Sequence, residues 1–212
     1  MVAGLSPVRK AASGYFTEPV VRLLAGTPVT PNILSWFGFA LAVAAAVLIA
    51  TDYLIIAGLV VVFGGYFDML DGALARRTNR VSRFGSVLDS TLDRVSEGVL
   101  LLGVLVLFSA RGSTELAMRT GPHLDIGILL VGIVLISSML VSYIRAKAES
   151  LGLTCWVGVF TRPERVIVLA LGLFLDQLEI ALGVIAAFSF ITVEQRLVYV
   201  WRQAKDKESR GE

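Results

Sequence analysis

Six long apolar stretches constrain this chain more than any other feature of its sequence. A helix needs roughly 20 mostly apolar residues to cross a hydrocarbon core about 30 Å thick. The stretches are residues 33–50, 53–66, 87–109, 126–143, 166–175 and 180–191. The second, fifth and sixth are short, but each continues into a flank that suits a helix. Because only 17% of the 212 residues are charged, against about 25% in soluble domains, we predict an all-α polytopic membrane protein with six transmembrane helices.

The basic residues indicate how these helices are oriented. Arginine and lysine are concentrated in the N-terminal segment, the second and fourth loops and the C-terminal tail, whereas the alternate loops hold only Arg111 and Arg119. Basic loops stay on the cytoplasmic side of a membrane. We therefore expect a protein of the cytoplasmic membrane with both termini inside the cell, which requires an even number of spans.

The sequence predicts one membrane domain with two short flanking segments. The membrane domain covers residues 31–202. Residues 1–30 include "SGYFTEPVVRLLAG", whose apolar side chains fall mainly on one side, as in an amphipathic helix that lies in the membrane interface. Pro28 and Pro31 end that helix, and Pro31 opens the first span. Residues 203–212 are predicted to form a frayed polar tail.

Four aspartates interrupt the apolar pattern within "FDMLDGALARRTNRVSRFGSVLDSTLDRV", residues 67–95. They are Asp68, Asp71, Asp89 and Asp93. The first two are three residues apart on one predicted helix and the last two are four apart on the next, so each pair shares a helix face. The outermost two each lie eight residues, or about 12 Å along a helix, from Arg76 or Gly85 beside the loop. All four are therefore predicted to meet at one depth.

A group of four carboxylates at that depth needs cations. Even one unpaired aspartate at the bilayer centre costs about 2.5–3.5 kcal/mol, and neighbouring carboxylates repel each other. Hard oxygen donors without histidine or thiolate favour Mg²⁺ or Mn²⁺, and four aspartates suffice for two such ions. Two-metal sites stabilise the attacking and leaving oxygens in phosphoryl chemistry. We expect a metal-dependent enzyme; a divalent-cation transporter is the alternative from a different functional class.

The spacing of these residues also forms a motif, DxxDGxxAR, eight residues, then GxxxDxxxD, over residues 68–93. It resembles the signature of the CDP-alcohol phosphotransferase family, with every fixed position filled and no insertion. The resemblance implies six transmembrane helices, a homodimer and a cytoplasm-facing cavity that contains metal. It also implies displacement of CMP from a CDP-linked lipid by a polar alcohol, so the expected partners are these substrates and the bilayer, and not nucleic acid.

Together, the resemblance and the spacing suggest a role for each residue. Asp68, Asp71 and Asp89 are expected to be metal ligands, and Asp93 a ligand or the general base that takes the proton of the acceptor hydroxyl. Glycines of the motif allow close approach of a nucleotide or, alternatively, close helix packing. The motif arginine suits a donor phosphate or a lipid headgroup. The predicted nucleotide-binding residues are Asn32, Gly72, Arg76, Ser82 and Gly85.

A second group of cations follows in "SYIRAKAES" and "TRPER", residues 142–150 and 161–165. Buried arginines need an anion, which a phosphate on the acceptor would supply; lipid headgroups are the alternative partner. The predicted acceptor-phosphate residues are Ser142, Arg145, Arg165 and Arg196. The pattern SYIxAxAE followed by RPER resembles the branch of the family that uses inositol phosphate, although that branch usually has lysine where Arg145 stands. Inositol phosphate is thus the predicted acceptor, and glycerol phosphate, serine or another polar alcohol is the alternative.

Overall fold

The computed structural model describes residues 17–116 and 126–210. Within them lie six principal helices and no strand, which confirms the all-α class. The helices are α1 (Pro31–Ala50), α2 (Leu54–Arg77), α3 (Arg83–Leu116), α4 (Ile126–Ser150), α5 (Arg162–Phe174) and α6 (Leu178–Arg210). Residues 17–25 form a further helical segment. The predicted N-terminal helix also included residues 1–16, and the predicted loops included Arg119; both lie outside the described residues.

Five of the described helices, α1, α2, α3, α4 and α6, are long and apolar enough to cross a membrane. Helix α5 has only 13 residues. At 1.5 Å per residue it is about 20 Å long, shorter than a hydrocarbon core of about 30 Å. The structure therefore supports an integral membrane protein, and the sixth span stays a prediction.

Helices α1, α2 and α3 form a closely packed unit, because α1 contacts both of the others along its length. A Cβ atom on Gly103 of α3 would lie 2.5 Å from the backbone oxygen of Ala46 and 2.9 Å from its Cα. Only glycine permits this approach, and small residues serve the same purpose in many membrane helix pairs. Helix α5 packs on α2, and α4 packs on α6.

Prolines and a capping box determine where two of the helices begin. Pro31 lies in the first turn of α1, and Pro163 in the first turn of α5, positions where a missing backbone N–H costs nothing. The backbone N–H of Thr161 donates to Glu164 Oε2 at 2.8 Å, completing a capping box. The first turn of α5 therefore begins at Arg162.

The helical segment at residues 17–25 docks on the end of α2. Val21 is only 2% exposed and packs against α1 and α2 through Leu34, Leu70 and Leu74. Glu18 forms ion pairs with Arg22 and with Arg77 at the end of α2. The guanidinium groups of Arg22 and Arg77 hold the pKa of the Glu18 carboxyl below its usual value. The segment thus rests on the same end of the molecule as the acidic residues.

The C-terminal region differs from the frayed tail predicted for residues 203–212. Helix α6 continues to Arg210. The side chain of Gln203 accepts a hydrogen bond from the backbone N–H of Thr154 at 3.2 Å and donates one to its carbonyl oxygen at 2.7 Å. Lys207 Nζ donates to the carbonyl oxygen of Gly152 at 3.1 Å. These bonds to the loop between α4 and α5 stabilise the extra helical turns.

At the opposite end of the bundle, one arginine connects three parts of the chain. Arg111 of α3 contacts Asp52, between α1 and α2, at 2.6 Å and Asp176, between α5 and α6, at 3.1 Å. The two aspartates have φ angles of 67° and 49°, in the left-handed region that few residues other than glycine adopt. We call this group the Arg111 bridge.

Candidate active site

The four aspartates lie where the C-terminal part of α2 faces the N-terminal part of α3, beside the first turns of α1 and α5. The charges of Asp68, Asp71 and Asp89 are all close enough to act on Asp93, and Asp68 and Asp71 each interact with Asp89. The structure therefore brings together the two pairs of carboxylates that the spacing predicted to meet.

Arg162 lies between two of these carboxylates. Its Nη2 is 2.8 Å from Asp68 Oδ2 and its Nη1 is 2.5 Å from Asp93 Oδ1, so α5 is connected to both α2 and α3. Its side chain is 24% exposed, and its Nε is buried without a hydrogen-bond partner among the described residues. The sequence pattern did not assign this cation to the aspartates; its position beside Pro163 in the first turn of α5 was the available signal.

Helix α1 supports the two carboxylates of α2. The hydroxyl of Ser35 donates to Asp71 Oδ2 at 2.7 Å, and Asp71 is only 4% exposed. A Cβ atom on Gly38 would lie 2.6 Å from Asp68 Oδ1, so glycine is needed for this carboxylate to rest against α1. The sequence patterns did not identify Ser35 or Gly38 as part of this site. The available signal was that these two small residues lie three apart on one face of an apolar span.

The donor set fits a divalent metal ion. The aspartates supply only hard oxygen donors, and carboxylates that repel one another bind Mg²⁺ or Mn²⁺ readily. No cluster of three acidic, histidine or cysteine side chains ready to hold an ion occurs in residues 17–116 and 126–210, and the guanidinium of Arg162 lies between Asp68 and Asp93. Arg162 is therefore the cation that compensates part of the charge of these carboxylates in this structure.

Three of the predicted nucleotide-binding residues meet near the start of α3. The backbone N–H of Gly85 donates to Ser82 Oγ at 2.9 Å. A Cβ atom on Gly85 would lie 2.8 Å from that oxygen and 3.3 Å from Asn32 Oδ1. On α2, a Cβ atom on Gly72 would lie 3.3 Å from Arg76 Nη1. The glycines therefore keep space beside polar groups, and the binding of nucleotide there stays a prediction.

The predicted acceptor-phosphate arginines also lie near one another, since the charges of Arg145 and Arg165 act on Arg196. Arg196 is 4% exposed. Its Nε donates to the carbonyl oxygen of Val157 at 3.0 Å, and its Nη1 donates to that of Val141. Two backbone carbonyls thus contact this buried cation.

Arg145 was predicted to bind the acceptor phosphate, and its side chain lies at the protein surface. Its side chain is 47% exposed and its Nε lies 2.9 Å from Glu149 Oε1. The guanidinium also lies over the ring of Trp156, 5.4 Å from the ring centroid. An ion pair within α4 and a cation–π contact stabilise this position. Ser142, one turn earlier on α4, is half-buried.

Arg165 is almost fully buried, at 3% exposed. Its Nε and Nη2 lie 2.5 Å and 2.8 Å from the two carboxylate oxygens of Glu97 on α3. A small cavity of about 30 Å³ lies beside this pair and the acidic group, and its polar lining residues are Asp68, Ser96, Glu97 and Arg162. That volume suits a water molecule and is too small for a substrate. The sequence did not reveal Glu97 as part of this region.

Comparison with known proteins agrees with this geometry. The model of the family described as CDP-alcohol phosphatidyltransferase matches residues 28–201. The archaetidylinositol phosphate synthase of Methanothermobacter thermautotrophicus is 36% identical over 196 residues, covering 90% of this chain and 91% of that protein. The phosphatidylinositol phosphate synthase of Mycobacteroides abscessus is 37% identical over 191 residues, covering 85% and 81%.

Solved structures of a related enzyme share the fold as well. Crystal structures of the Mycobacterium tuberculosis phosphatidylinositol phosphate synthase, one with CDP-DAG bound and one in complex with manganese and citrate, superpose on this chain with TM-scores of 0.73 and 0.74. Both are 34% identical to it and cover 87% of it, and the match spans 93% and 88% of the respective structures. The motif, the matched length and the shared fold show that this chain belongs to the CDP-alcohol phosphatidyltransferase family.

Proposed function

We propose that this protein is a metal-dependent transferase of phospholipid biosynthesis. It transfers the phosphatidyl group of a CDP-linked lipid such as CDP-diacylglycerol to inositol phosphate and releases CMP. The observation that carries this proposal is the meeting of four aspartates between α2 and α3, at the spacing of the family motif. The names of the relatives and the CDP-DAG-bound structure of the M. tuberculosis enzyme support the choice of substrates.

The aspartates are the proposed ligands of Mg²⁺ or Mn²⁺, with two ions bound. They are Asp68, Asp71, Asp89 and Asp93. When bound, such ions supply positive charge that stabilises the diphosphate as the bond to CMP breaks. The manganese complex of the M. tuberculosis enzyme supports this choice of metal. Ser35 orients Asp71 through its hydrogen bond of 2.7 Å, and Gly38 gives Asp68 its place against α1.

Asp93 is the proposed general base. Its carboxylate takes the proton from the acceptor hydroxyl as that oxygen attacks the donor phosphorus, and the phosphorus–oxygen bond to CMP breaks. Asp93 is suited to this role because its side chain remains 29% exposed, whereas Asp71 is 4% exposed and bonded to Ser35. The same side chain also remains available as a metal ligand.

Polar residues on either side of the acidic group are the proposed substrate contacts. Asn32, Ser82 and Gly85 contact the cytidine end, and Gly72 with Arg76 contacts the donor phosphates. The proposed acceptor-phosphate residues are Ser142, Arg145, Arg165 and Arg196. The mutual contacts of the first three residues support this division, as does the electrostatic interaction among the three arginines.

We further propose six membrane crossings, with an interfacial N-terminal helix, both termini and the active site on the cytoplasmic side, in a homodimer. Helix α5 supports the sixth crossing despite its 13 residues. It begins at Arg162 beside the acidic group, and Asp176 just beyond its end contacts Arg111 at the other end of α3. A short span of this kind is accommodated by local thinning of the bilayer.

Release of CMP from CDP-diacylglycerol by the purified protein tests the function. We expect release with inositol phosphate and Mg²⁺ or Mn²⁺, and none when a chelator removes the metal. Glycerol phosphate and serine serve as competing acceptors in the same assay. Reaction with glycerol phosphate but not inositol phosphate would show that the proposed acceptor is wrong. Metal transport by reconstituted protein without CMP release under any condition would refute the transferase itself.

A further inference from the structure

Glu97 extends the acidic face of α3 beyond the family motif. It follows Asp89 and Asp93 at intervals of four residues, so the three carboxyl groups lie along one side of the helix. Its side chain is only 14% exposed, and it lines the small cavity next to Asp68 and Arg162. A carboxylate in this position needs a cationic partner of its own.

That partner is Arg165, which Glu97 contacts with both carboxylate oxygens. The two distances, 2.5 Å to Nε and 2.8 Å to Nη2, describe a bidentate pair along one edge of the guanidinium. Because the guanidinium is planar and rigid, a pair of this kind fixes its orientation as well as its position. Arg165 is 3% exposed, so its side chain has little freedom to move.

The other edge of Arg165 has a free donor. Its Nη1 is buried and has no hydrogen-bond partner among the described residues. A buried N–H group without a partner is costly, so such a group signals a ligand or a functional contact. The positive charge of Arg165 also acts on Arg196, and together these cations form the part of the site where a phosphate is expected.

We propose that Glu97 is a positioning residue for the acceptor, a role that rests on the proposed function. By holding the Nε and Nη2 edge of Arg165, it keeps Nη1 available for the phosphate group of the acceptor. It also offsets the repulsion between Arg165 and Arg196, so that both cations stay in place before the phosphate binds. If the pair were only a structural link between α3 and α5, it would use the same two bonds. Its loss would then change the KM values for the two substrates equally.

The Glu97→Gln variant tests this role, because glutamine keeps the size but removes the charge and one acceptor oxygen. We expect the KM for inositol phosphate to rise at least about tenfold, as for the loss of a hydrogen bond to a charged group, and the KM for CDP-diacylglycerol to stay within about twofold. Asp176→Asn is the matched control, since it removes one carboxylate from the Arg111 bridge; we expect both KM values to be unchanged. Equal changes of both KM values in Glu97→Gln would overturn the inference.

A charge exchange separates positioning from a structural link. The double variant Glu97→Arg with Arg165→Glu restores an ion pair between α3 and α5 but removes the cation at position 165. We expect its thermal midpoint to recover relative to Glu97→Gln, with the KM for inositol phosphate still raised. Recovery of that KM would mean that the pair is only structural.

If Glu97→Gln does not fold, Glu97→Asp provides the test. It retains the charge with a shorter reach, so we expect a smaller rise in the KM for inositol phosphate and no change for the donor; an equal rise for both substrates would refute the role. A wild-type protein that releases no CMP with inositol phosphate would refute the proposed function. An active wild type whose acceptor KM is unchanged in Glu97→Gln would refute only the role of Glu97.

Discussion

Two arginines bridge pairs of aspartates at opposite ends of the helix bundle, in different surroundings. Arg111 connects two turns, its side chain is 40% exposed, and its two aspartates are 56% and 61% exposed. Arg162 connects two helices, its side chain is 24% exposed, and its aspartates are 23% and 29% exposed. At the first bridge, water and one arginine are enough to compensate two carboxylates.

The second bridge is not balanced in this way. Asp71 and Asp89 lie close to the two aspartates that Arg162 contacts. Four carboxylates therefore share one guanidinium, in a part of the protein that water reaches poorly. Such an excess of negative charge is expensive unless cations bind. The comparison teaches that an arginine between two aspartates is a structural link where solvent is present. Where carboxylates accumulate away from solvent, one arginine compensates only part of their negative charge.

The largest difference is expected when one aspartate of each bridge loses its charge. Asp93→Asn should lower CMP release by about 10²- to 10⁴-fold, the range for loss of a general base, without loss of folded protein. Asp176→Asn, at the Arg111 bridge, should leave the rate unchanged. The initial rate of CMP release, measured with equal amounts of each monodisperse variant, checks both. Comparable rates for Asp93→Asn and the wild type would remove Asp93 from the mechanism.

Replacing the arginine should destabilise the protein by a different amount at each of the two bridges. Arg162→Met leaves carboxylates that are largely buried without their partner, and we expect a loss of about 3 kcal/mol in chelator. Addition of Mn²⁺ should recover part of it, because the metal supplies the missing positive charge. Arg111→Met should cost no more than about 1 kcal/mol, as for an exposed ion pair, with no effect of Mn²⁺.

Thermal unfolding in detergent with and without Mn²⁺ measures these differences. An equal effect of Mn²⁺ on the stability of the two arginine variants would show that the two bridges respond to metal in the same way.

The smallest effects are expected from two glycine-to-alanine changes, which add one methyl group where α1 contacts α2 and one where α1 contacts α3. In Gly38→Ala the new carbon would displace the Asp68 carboxylate, a movable group, so we expect about a tenfold loss of rate with a small change in stability. In Gly103→Ala it would meet the backbone of Ala46, which cannot move aside, so we expect a stability loss of about 1–3 kcal/mol. Rates and thermal midpoints of both variants check this; an unchanged rate in Gly38→Ala would mean that Asp68 tolerates displacement.

The sequence predicted those features that depend on spacing within a helix. Intervals of three and four residues placed the aspartates on shared faces, and Pro31 marked the start of α1. The family motif also followed directly from the sequence. Each of these features depends on positions only a few residues apart in the chain.

The partners that the sequence did not reveal are long-range contacts. Arg162 meets Asp93 and Arg165 meets Glu97 only because α5 packs on α2 with one particular rotation, which turns these side chains toward α3 and which no local pattern determines. The outward position of Arg145 depends in the same way on where the Trp156 loop lies. The end of α6 was unpredictable for a similar reason, since bonds to the loop between α4 and α5 stabilise its polar final turns.

Binding of Mn²⁺ to the purified protein, followed by the loss of the free-ion electron paramagnetic resonance signal, tests the central claim most directly. That claim is that α2 and α3 turn their carboxylates toward one another to hold divalent metal. We predict saturable binding by the wild type and by Asp176→Asn, and loss of that binding in Asp89→Asn, because Arg162 forms its ion pairs with Asp68 and Asp93 and not with Asp89. Binding by Asp89→Asn equal to that of the wild type, or no saturable binding by any of the three proteins, would contradict it.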